Sequence, residues 1–269
     1  MEVRLHDSLD DFRAAAEAMY HRDPVIFTVE LTLLNGARRP IDPLLLTVWE
    51  GSKPCGAAMQ TPPYPLLCSG LGEESIDATV TELARVRPEL VGVRGIRSTA
   101  MQFAQVWQKA TGRVGTITTE ERLHKLGVLR PPVGVGGMHR AATGDDDDLL
   151  DRWLDDFHAE ALGNTPRGPR GKASALLWSV DGAPVSTAMV TAPAAGTARI
   201  GPVYTPPAHR GNGYGSAITA AAARWALDVG AADVVLFTDL ANPVSNAIYR
   251  RIGFEPVSDS VRIDFGPRM

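Results

Sequence analysis

A glycine-rich hexapeptide, Arg210–Gly215, places the strongest constraint on how this chain can fold. Its sequence, RGNGYG, follows an apolar segment that reads as a strand, Arg199–Tyr204, and precedes an alanine-rich helix that ends at Gly230. Three glycines allow a tight turn that brings successive main-chain N–H groups together, and the helix start adds the positive end of its dipole. This order indicates a cradle for a pyrophosphate, although the same glycines can serve a tight turn that binds no ligand.

A helix with well-marked ends follows the β-branched segment Asp233–Phe237. Asn242 precedes Pro243, a pair that is typical of a helix start because asparagine caps the first turn and proline needs no N–H there. Gly253 suits the left-handed residue that ends a helix. The sequence therefore predicts a short helix between these two points.

One side of that helix is predicted to be polar. Ser245 and Tyr249 are four residues apart, and Asn242 lies one turn before Ser245. Residues at this spacing project from the same side of a helix. The three side chains therefore form a stripe that faces one way.

At these two segments the sequence resembles the GNAT superfamily of acyl-CoA-dependent N-acyltransferases. The family's cradle pattern, Q/R-x-x-G-x-G/A, is matched by Arg210, Gly213 and Gly215. Its later pattern, N-x-x-A/S-x-x-x-Y-x-x-x-G-F/Y, is matched by Asn242, Ser245, Tyr249, Gly253 and Phe254. Both motifs occur in the family's order, and the resemblance covers residues 138–269.

The resemblance implies a site for acetyl-CoA as cosubstrate. In such proteins the coenzyme pyrophosphate is held by main-chain N–H groups of the cradle, which here are those of Arg210, Gly211, Asn212, Gly213, Tyr214, Gly215 and Ser216. Arg210 either adds positive charge or is merely solvated. Asn242 would bond the pantetheine amides, and Ser245 on the same stripe is assigned to the coenzyme site as well. No metal is implied.

The strand before the cradle is expected to part from its neighbour. Pro202 cannot donate a hydrogen bond, so it predicts a bulge or a local separation of strands. In the family, the pantetheine arm runs between two splayed strands. The coenzyme site would then include Val203, Tyr204 and Thr205, with the N–H of Val203 or Tyr204 stabilising the oxyanion of the thioester.

Tyr249 is the predicted catalytic residue. The family uses the tyrosine at this position to protonate the leaving thiolate. A phenol with its ordinary pKa of about 10 is a workable acid for a thiol of about 8.5. The alternative is a packed helix tyrosine whose hydroxyl lies in water.

The general base is not marked by a motif. An acceptor amine with a pKa of about 10.4 must lose a proton before it attacks. His158 and Glu160 on the first helix of the second half are candidates, as is Asp239 at the end of a strand. A chain of waters would serve equally well.

Three functions remain open. The first is an acetyl-CoA-dependent N-acetyltransferase that uses a primary amine, either a small molecule or a peptide N-terminus, by direct attack. The alternative from another class is a non-catalytic acyl-CoA-binding regulatory protein. A third is transfer from a longer acyl-CoA, which the bulk around Val203 and Ile248 would decide. The acceptor pocket is expected at the first helix of the second half and the glycine-rich loop Gly163–Lys172, either a mobile lid or a flexible connection.

The predicted fold class is mixed α/β, arranged as two tandem GNAT-like domains that each contain a central mixed β-sheet flanked by helices. The domains are 1–130 and 138–269, joined by a Pro- and Gly-rich linker at 131–137. The first half repeats the order of elements, but its segment Thr61–Gly72 carries no cradle motif. It is interpreted as a degenerate domain without a coenzyme site, the alternative being an unrelated α/β domain.

Composition is consistent with a cytoplasmic enzyme. The net charge of −4 argues against a nucleic-acid partner, and there is neither an apolar run that would span a membrane nor a signal peptide. A homo-oligomer is left open. Cys55 and Cys68 are expected to be small buried apolar residues. The acidic run Asp145–Asp148 is interpreted as capping a helix rather than as a cation site.

Overall fold

A computed structural model describes residues 1–36, 41–161 and 173–268 of the chain. These residues form two compact units, each with helices that flank a β-sheet. The first unit comprises Met1–Arg122, Asp239–Ala241 and Ser258–Met269, and the second comprises Leu123–Thr238 and Asn242–Val257. The mixed α/β class predicted from the sequence is confirmed.

The first unit alternates strands and helices along the chain. Its elements are β1 (Glu2–Leu5), α1 (Leu9–Tyr20), α2 (Thr28–Leu34), β2 (Leu44–Glu50), β3 (Lys53–Gln60), β4 (Leu66–Leu67), α3 (Ile76–Val86), β5 (Gly92–Ile96), α4 (Arg97–Thr111) and the start of β6 (Arg113–Leu126). A short 3-10 turn, Glu73–Ser75, leads into α3.

The second unit has a similar sequence of elements. They are β7 (Met138–Ala141), α5 (Asp147–Ala161), β8 (Ala173–Val180), β9 (Ala183–Thr191), β10 (Thr197–Tyr204), α6 (Tyr214–Asp228), β11 (Asp233–Asp239), α7 (Pro243–Arg251) and the start of β12 (Phe254–Arg268). In the described residues no helix is long and apolar enough to cross a membrane.

The strand order is the same in each unit. Strands β1 to β5 lie side by side in the first unit, followed by β12 and then β6; in the second, β7 to β11 lie side by side, followed by β6 and then β12. β6 and β12 are therefore each divided between the units. This division differs from the sequence-based boundary at 131–137. Within β12, Ser260–Asp264 pair with β5 in antiparallel register, from Ser260 opposite Ile96 to Asp264 opposite Gly92, so the end of the chain belongs to the first unit.

The sequence predicts a hairpin at Asp181-Gly182, a pair typical of two-residue turns, and the structure has this hairpin between β8 and β9. Val180 pairs with Ala183, so Asp181 and Gly182 between them form the turn. Their φ angles of 48° and 80° are the positive values that a two-residue hairpin turn requires. The hairpin is confirmed.

Each unit has its own apolar core. The first is centred on α4, where Trp107 is fully buried and stacks on Phe265 at 5.4 Å between ring centroids. The second lies between the sheet and the alanine-rich face of α6, with Ile218 and Phe254 among its buried members. Small alanine side chains let α6 approach the sheet closely, which positions the cradle at its N-terminus.

Cys68 is buried as predicted. Cys55 is only partly buried, because it lies near the exposed first residue of β3. The Gly163–Lys172 loop lies outside the described residues. The sequence analysis assigned no element to residues 113–126, which form β6.

Candidate functional site

The Arg210–Gly215 segment forms a turn that leads into α6. Gly211 and Gly213 have φ angles of 83° and 81°, a conformation that residues with side chains rarely adopt. Gly213 is the N-cap of α6, and no side chain caps this helix. The helix therefore presents main-chain N–H groups from Tyr214–Ser216, which are partly exposed, in the arrangement that binds anions at helix N-termini.

Two contacts fix the shape of the turn. Asn212 donates from Nδ2 to the main-chain carbonyls of His209 and Arg210, at 3.1 Å and 3.2 Å. A Cβ atom placed on Gly215 would lie 3.5 Å from Oγ1 of Thr205, so the first turn of α6 packs against the end of β10. The structure therefore brings together the two predicted parts of the coenzyme site, the cradle and the residues just before it.

β10 and β11 run together for only part of their length. Their parallel ladder joins Thr197–Ile200 to Asp233–Leu236, whereas Val203 and Tyr204 pair with β9 across a register shift that follows Ile200. The shift falls at Pro202, which has no N–H to donate to the ladder. The irregularity predicted from this proline is confirmed.

The Tyr204 side chain is held by the protein. Its ring is 5% exposed and lies near Trp153 and Phe157 of α5, at 6.4 Å and 6.5 Å between centroids. Its hydroxyl donates to Oε1 of Glu160 at 2.9 Å, and burial together with this carboxylate raises the pKa of Tyr204 to about 12. Any role of Tyr204 in the coenzyme site therefore belongs to its main chain.

Arg210 links the cradle to α5. Its Nη2 donates to Oε2 of Glu160 at 2.5 Å, and its Nε donates to the main-chain carbonyl of Thr205 at 2.9 Å. The guanidinium also lies 5.9 Å from the ring centre of Tyr204. The sequence left open whether Arg210 contacts coenzyme or is only solvated, and the structure adds a third role, in which the arginine braces the turn.

Among the candidate bases, Glu160 has the best-defined surroundings. Each of its carboxylate oxygens accepts one hydrogen bond, from Tyr204 and from Arg210. The hydrogen bond from Arg210 is the main reason that the pKa of Glu160 is lowered, which makes it a weaker base. His158 lies on the same helix, whereas Asp239 belongs to the first unit and accepts a main-chain N–H at 2.7 Å. The pairing of Glu160 had no signal in the sequence.

The helix α7 begins and ends as predicted. Oδ1 of Asn242 accepts from the N–H of Ser245 at 3.0 Å, and Pro243 occupies the first helical position. Gly253 follows the helix with a φ of 104°. The capping role of Asn242 is confirmed; its contact with pantetheine, and that of Ser245, stay predictions.

Asn246 is a structural residue that the motif reading missed. It is buried, its Nδ2 donates to the main-chain carbonyl of Asn242 at 2.7 Å, and its Oδ1 accepts from the hydroxyl of Thr238 at 2.8 Å. These bonds fix α7 to the end of β11. Asn246 occupies none of the matched motif positions, so no signal in the sequence marked it.

Tyr249 is partly buried and packs against the core of the second unit. Its ring meets Phe254 edge-on at 6.3 Å between centroids, and Val203 packs against the same core cluster. Burial raises the pKa of Tyr249 to about 12, so the expectation of an ordinary phenol pKa is corrected. A higher pKa makes the hydroxyl a weaker acid but keeps it protonated over a wider range of pH.

The acidic run before α5 acts as a helix cap. Thr143 and Asp146 form a reciprocal capping box, and Asp146 also forms a two-bonded ion pair with Arg140 at 2.7 Å and 2.8 Å. The Arg140 guanidinium is the main cause of the strongly lowered pKa of Asp146. The capping interpretation is confirmed, and in the described residues no cluster of His, Cys, Asp and Glu forms a metal site.

The sequence of the second half matches a known family. Residues 141–254 match the model of the acetyltransferase (GNAT) family, a range that contains both motifs and the whole of the cradle. Among curated proteins no significant sequence match is found. Residues 141–254 therefore form a domain of the acetyltransferase (GNAT) family.

Solved structures are similar over the whole chain. A GCN5-related N-acetyltransferase from Kribbella flavida has 20% identity and a TM-score of 0.58, covering 94% of this chain and 96% of its own. A tandem GNAT protein from the clavulanic acid biosynthesis pathway has 15% identity and a TM-score of 0.56, with 99% of both chains covered. A Drosophila protein has 12% identity and a TM-score of 0.69, again with 99% of both covered. These full-length similarities confirm the tandem fold.

Proposed function

We propose that the second unit is an N-acetyltransferase that moves the acetyl group of acetyl-CoA to a primary amine. The observation that carries the proposal is the uncapped N-terminus of α6, which follows two positive-φ glycines and lies against the end of β10 where the strand register shifts. The acceptor would be a small molecule or a peptide N-terminus. The family match to residues 141–254 supports this chemistry.

The cradle fits a pyrophosphate. A Cβ atom on Gly211 would meet no atom within 4 Å, so the turn leaves open space beside its backbone. Backbone N–H groups suit a diphosphate because they are fixed in direction and cannot be titrated. Asn242 uses Oδ1 for its cap, so its Nδ2 is the group that would donate to a pantetheine carbonyl.

The chemical steps would use the main chain of β10 after its register shift, together with Tyr249. The amine nitrogen attacks the thioester carbon, and the N–H of Val203 or Tyr204 stabilises the negative charge that develops on the oxygen. The C–S bond then breaks, and Tyr249 gives its proton to the leaving sulfur. The proton that the amine loses passes to water or to Glu160, whose lowered pKa favours the water route.

We further propose that the first unit has no coenzyme site. At the position of the cradle, the N–H groups of Leu71 and Ser75 are bonded to main-chain carbonyls at 3.0 Å and 2.9 Å. Glu73 and Glu74 lie at the start of the following helical turn, where their charge would repel a pyrophosphate. Two main-chain donors of this segment are therefore already bonded, and its acidic residues disfavour a bound anion.

The second candidate function is a non-catalytic acyl-CoA-binding protein. The packing of Tyr249 against Phe254 favours it, because the same contact would be made by a purely structural tyrosine. The two candidates differ in turnover and not in coenzyme binding.

The test mixes purified protein, acetyl-CoA and a library of primary amines. Thiol release measures turnover, and mass spectrometry identifies the acetylated acceptor. The Tyr249→Phe variant should lose about 100-fold or more in kcat while its Kd for acetyl-CoA stays within twofold. A variant that turns over like the wild type would contradict the assigned acid. Binding without turnover across the library would favour the second candidate.

A further inference from the structure

The predicted linker at 131–137, together with the four residues before it, is hydrogen-bonded to the rest of the second unit at both ends. At its start, the N–H groups of Gly127 and Arg130 donate to the carbonyls of Gly253 and Ile252, at 2.9 Å and 3.0 Å. At its end, Nε1 of Trp178 donates to the carbonyl of Gly136 at 2.9 Å. Residues 127–137 therefore form an anchored strap over the second unit.

The end of the strap is pressed closely against β8. A Cβ atom on Gly137 would lie 2.4 Å from the main-chain oxygen of Ser179, and the φ of this glycine is 100°. A residue with a side chain does not fit there. Glycine at this position lets the backbone approach β8, which fixes the path of the residues just before it.

This path places Val135 on the cradle. Its Cγ2 methyl lies 3.0 Å from the position that a Cβ atom on Gly213 would occupy. Val135 is partly buried, whereas Val133, two residues earlier on the same strap, is 98% exposed. The valine side chain therefore packs on the glycine that begins α6.

We propose that Val135 is a positioning residue for coenzyme binding, an inference that rests on the proposed function. A glycine turn has many accessible conformations, and a packed isopropyl group reduces their number before the ligand arrives. The strap thus preorganises the pyrophosphate cradle.

The test measures coenzyme binding by calorimetry in three variants of the strap. Val135→Ala removes the packed methyls and should weaken the binding of CoA by about fivefold, since little of the bound phosphate contact itself is lost. Val133→Ala is the matched control, expected to bind as the wild type does. Val135→Thr keeps the shape of the side chain and should bind within twofold of the wild type.

A second acyl donor, acetyl-pantetheine, separates a positioning role of Val135 from general damage to the fold. Acetyl-pantetheine lacks the pyrophosphate, so its KM should be the same for Val135→Ala and the wild type, while the KM for acetyl-CoA rises and kcat is unchanged. Trp178→Phe keeps the ring but removes the donor to Gly136, and it should also weaken CoA binding. Equal losses with both donors would overturn the positioning role.

The failures of the two proposals are distinguishable. If the wild type binds CoA and Val135→Ala binds it equally well, only the role of Val135 is refuted. If the wild type binds no CoA, the proposed function is refuted and the role of Val135 with it.

Discussion

The raised pKa of Tyr249 predicts how the catalytic acid responds to pH. Burial takes this pKa to about 12, compared with about 10 for an exposed phenol. At pH 11 a group of pKa 12 is about nine-tenths protonated, whereas a group of pKa 10 is about one-tenth protonated. The contribution of Tyr249 to kcat should therefore fall by less than about 1.2-fold between pH 9 and pH 11, in place of the roughly tenfold fall of an ordinary tyrosine.

The assay follows the absorbance of tyrosinate near 295 nm as pH rises. The difference between wild type and Tyr249→Phe isolates one phenol, and its midpoint should lie near pH 12 in the folded protein and near pH 10 in denaturant. A folded midpoint near pH 10 would refute the claim that this side chain is buried. The ratio of kcat between wild type and the variant, measured at pH 9 and pH 11, provides the functional comparison.

The same pKa makes stability depend on pH. The folded pKa lies above the unfolded value, so the folded state holds the proton more tightly. The stabilisation is fully present below about pH 10 and is lost as pH rises towards 12. The denaturant midpoint of the wild type should therefore fall more steeply over this range than that of Tyr249→Phe, and parallel curves would contradict the shift.

Three further changes test the surroundings of the site. Asp146→Asn removes the charge that caps α5, so the free energy of unfolding should fall by about 1–3 kcal/mol in urea titrations, and an unchanged midpoint would be contrary evidence. In a double-mutant cycle of Glu160→Ala and Tyr204→Phe, the hydrogen bond predicts a coupling of about 1 kcal/mol, and strictly additive losses would refute it. Asn246→Ala should cost about 2 kcal/mol because it leaves the buried Thr238 hydroxyl without its acceptor, which thermal unfolding would show.

The cradle, the α7 caps and the β8–β9 hairpin were predictable because each depends on local chemistry. A proline that cannot donate, a capping asparagine and glycines with positive φ act within a few residues of themselves. The register shift at Pro202 and the N-cap at Asn242 could be read from the sequence for that reason.

Other features depend on contacts between segments that are distant in sequence. The bonds from Tyr204 and Arg210 to Glu160 join residues 44 and 50 positions apart, and no local pattern marks them. The division of β6 and β12 between the units arises from pairing of the last strand with β5. The contact of Val135 with Gly213 likewise depends on the anchoring of the strap, whereas the Pro- and Gly-rich composition indicated only a linker between domains.

The most direct test of the central claim is a calorimetric titration of acetyl-CoA into wild type and Gly211→Glu. Gly211 in the cradle and Gly230 after α6 have φ angles of 83° and 95°, and a Cβ atom at either position would meet no atom within 4 Å. Gly230→Glu is therefore a matched control for the cost of a side chain at positive φ. The account predicts one site per chain in the wild type and in Gly230→Glu, and none in Gly211→Glu, because the added carboxylate lies beside the cradle and repels the pyrophosphate. Undiminished binding by Gly211→Glu, or no binding by the wild type, would contradict the assignment of the cradle.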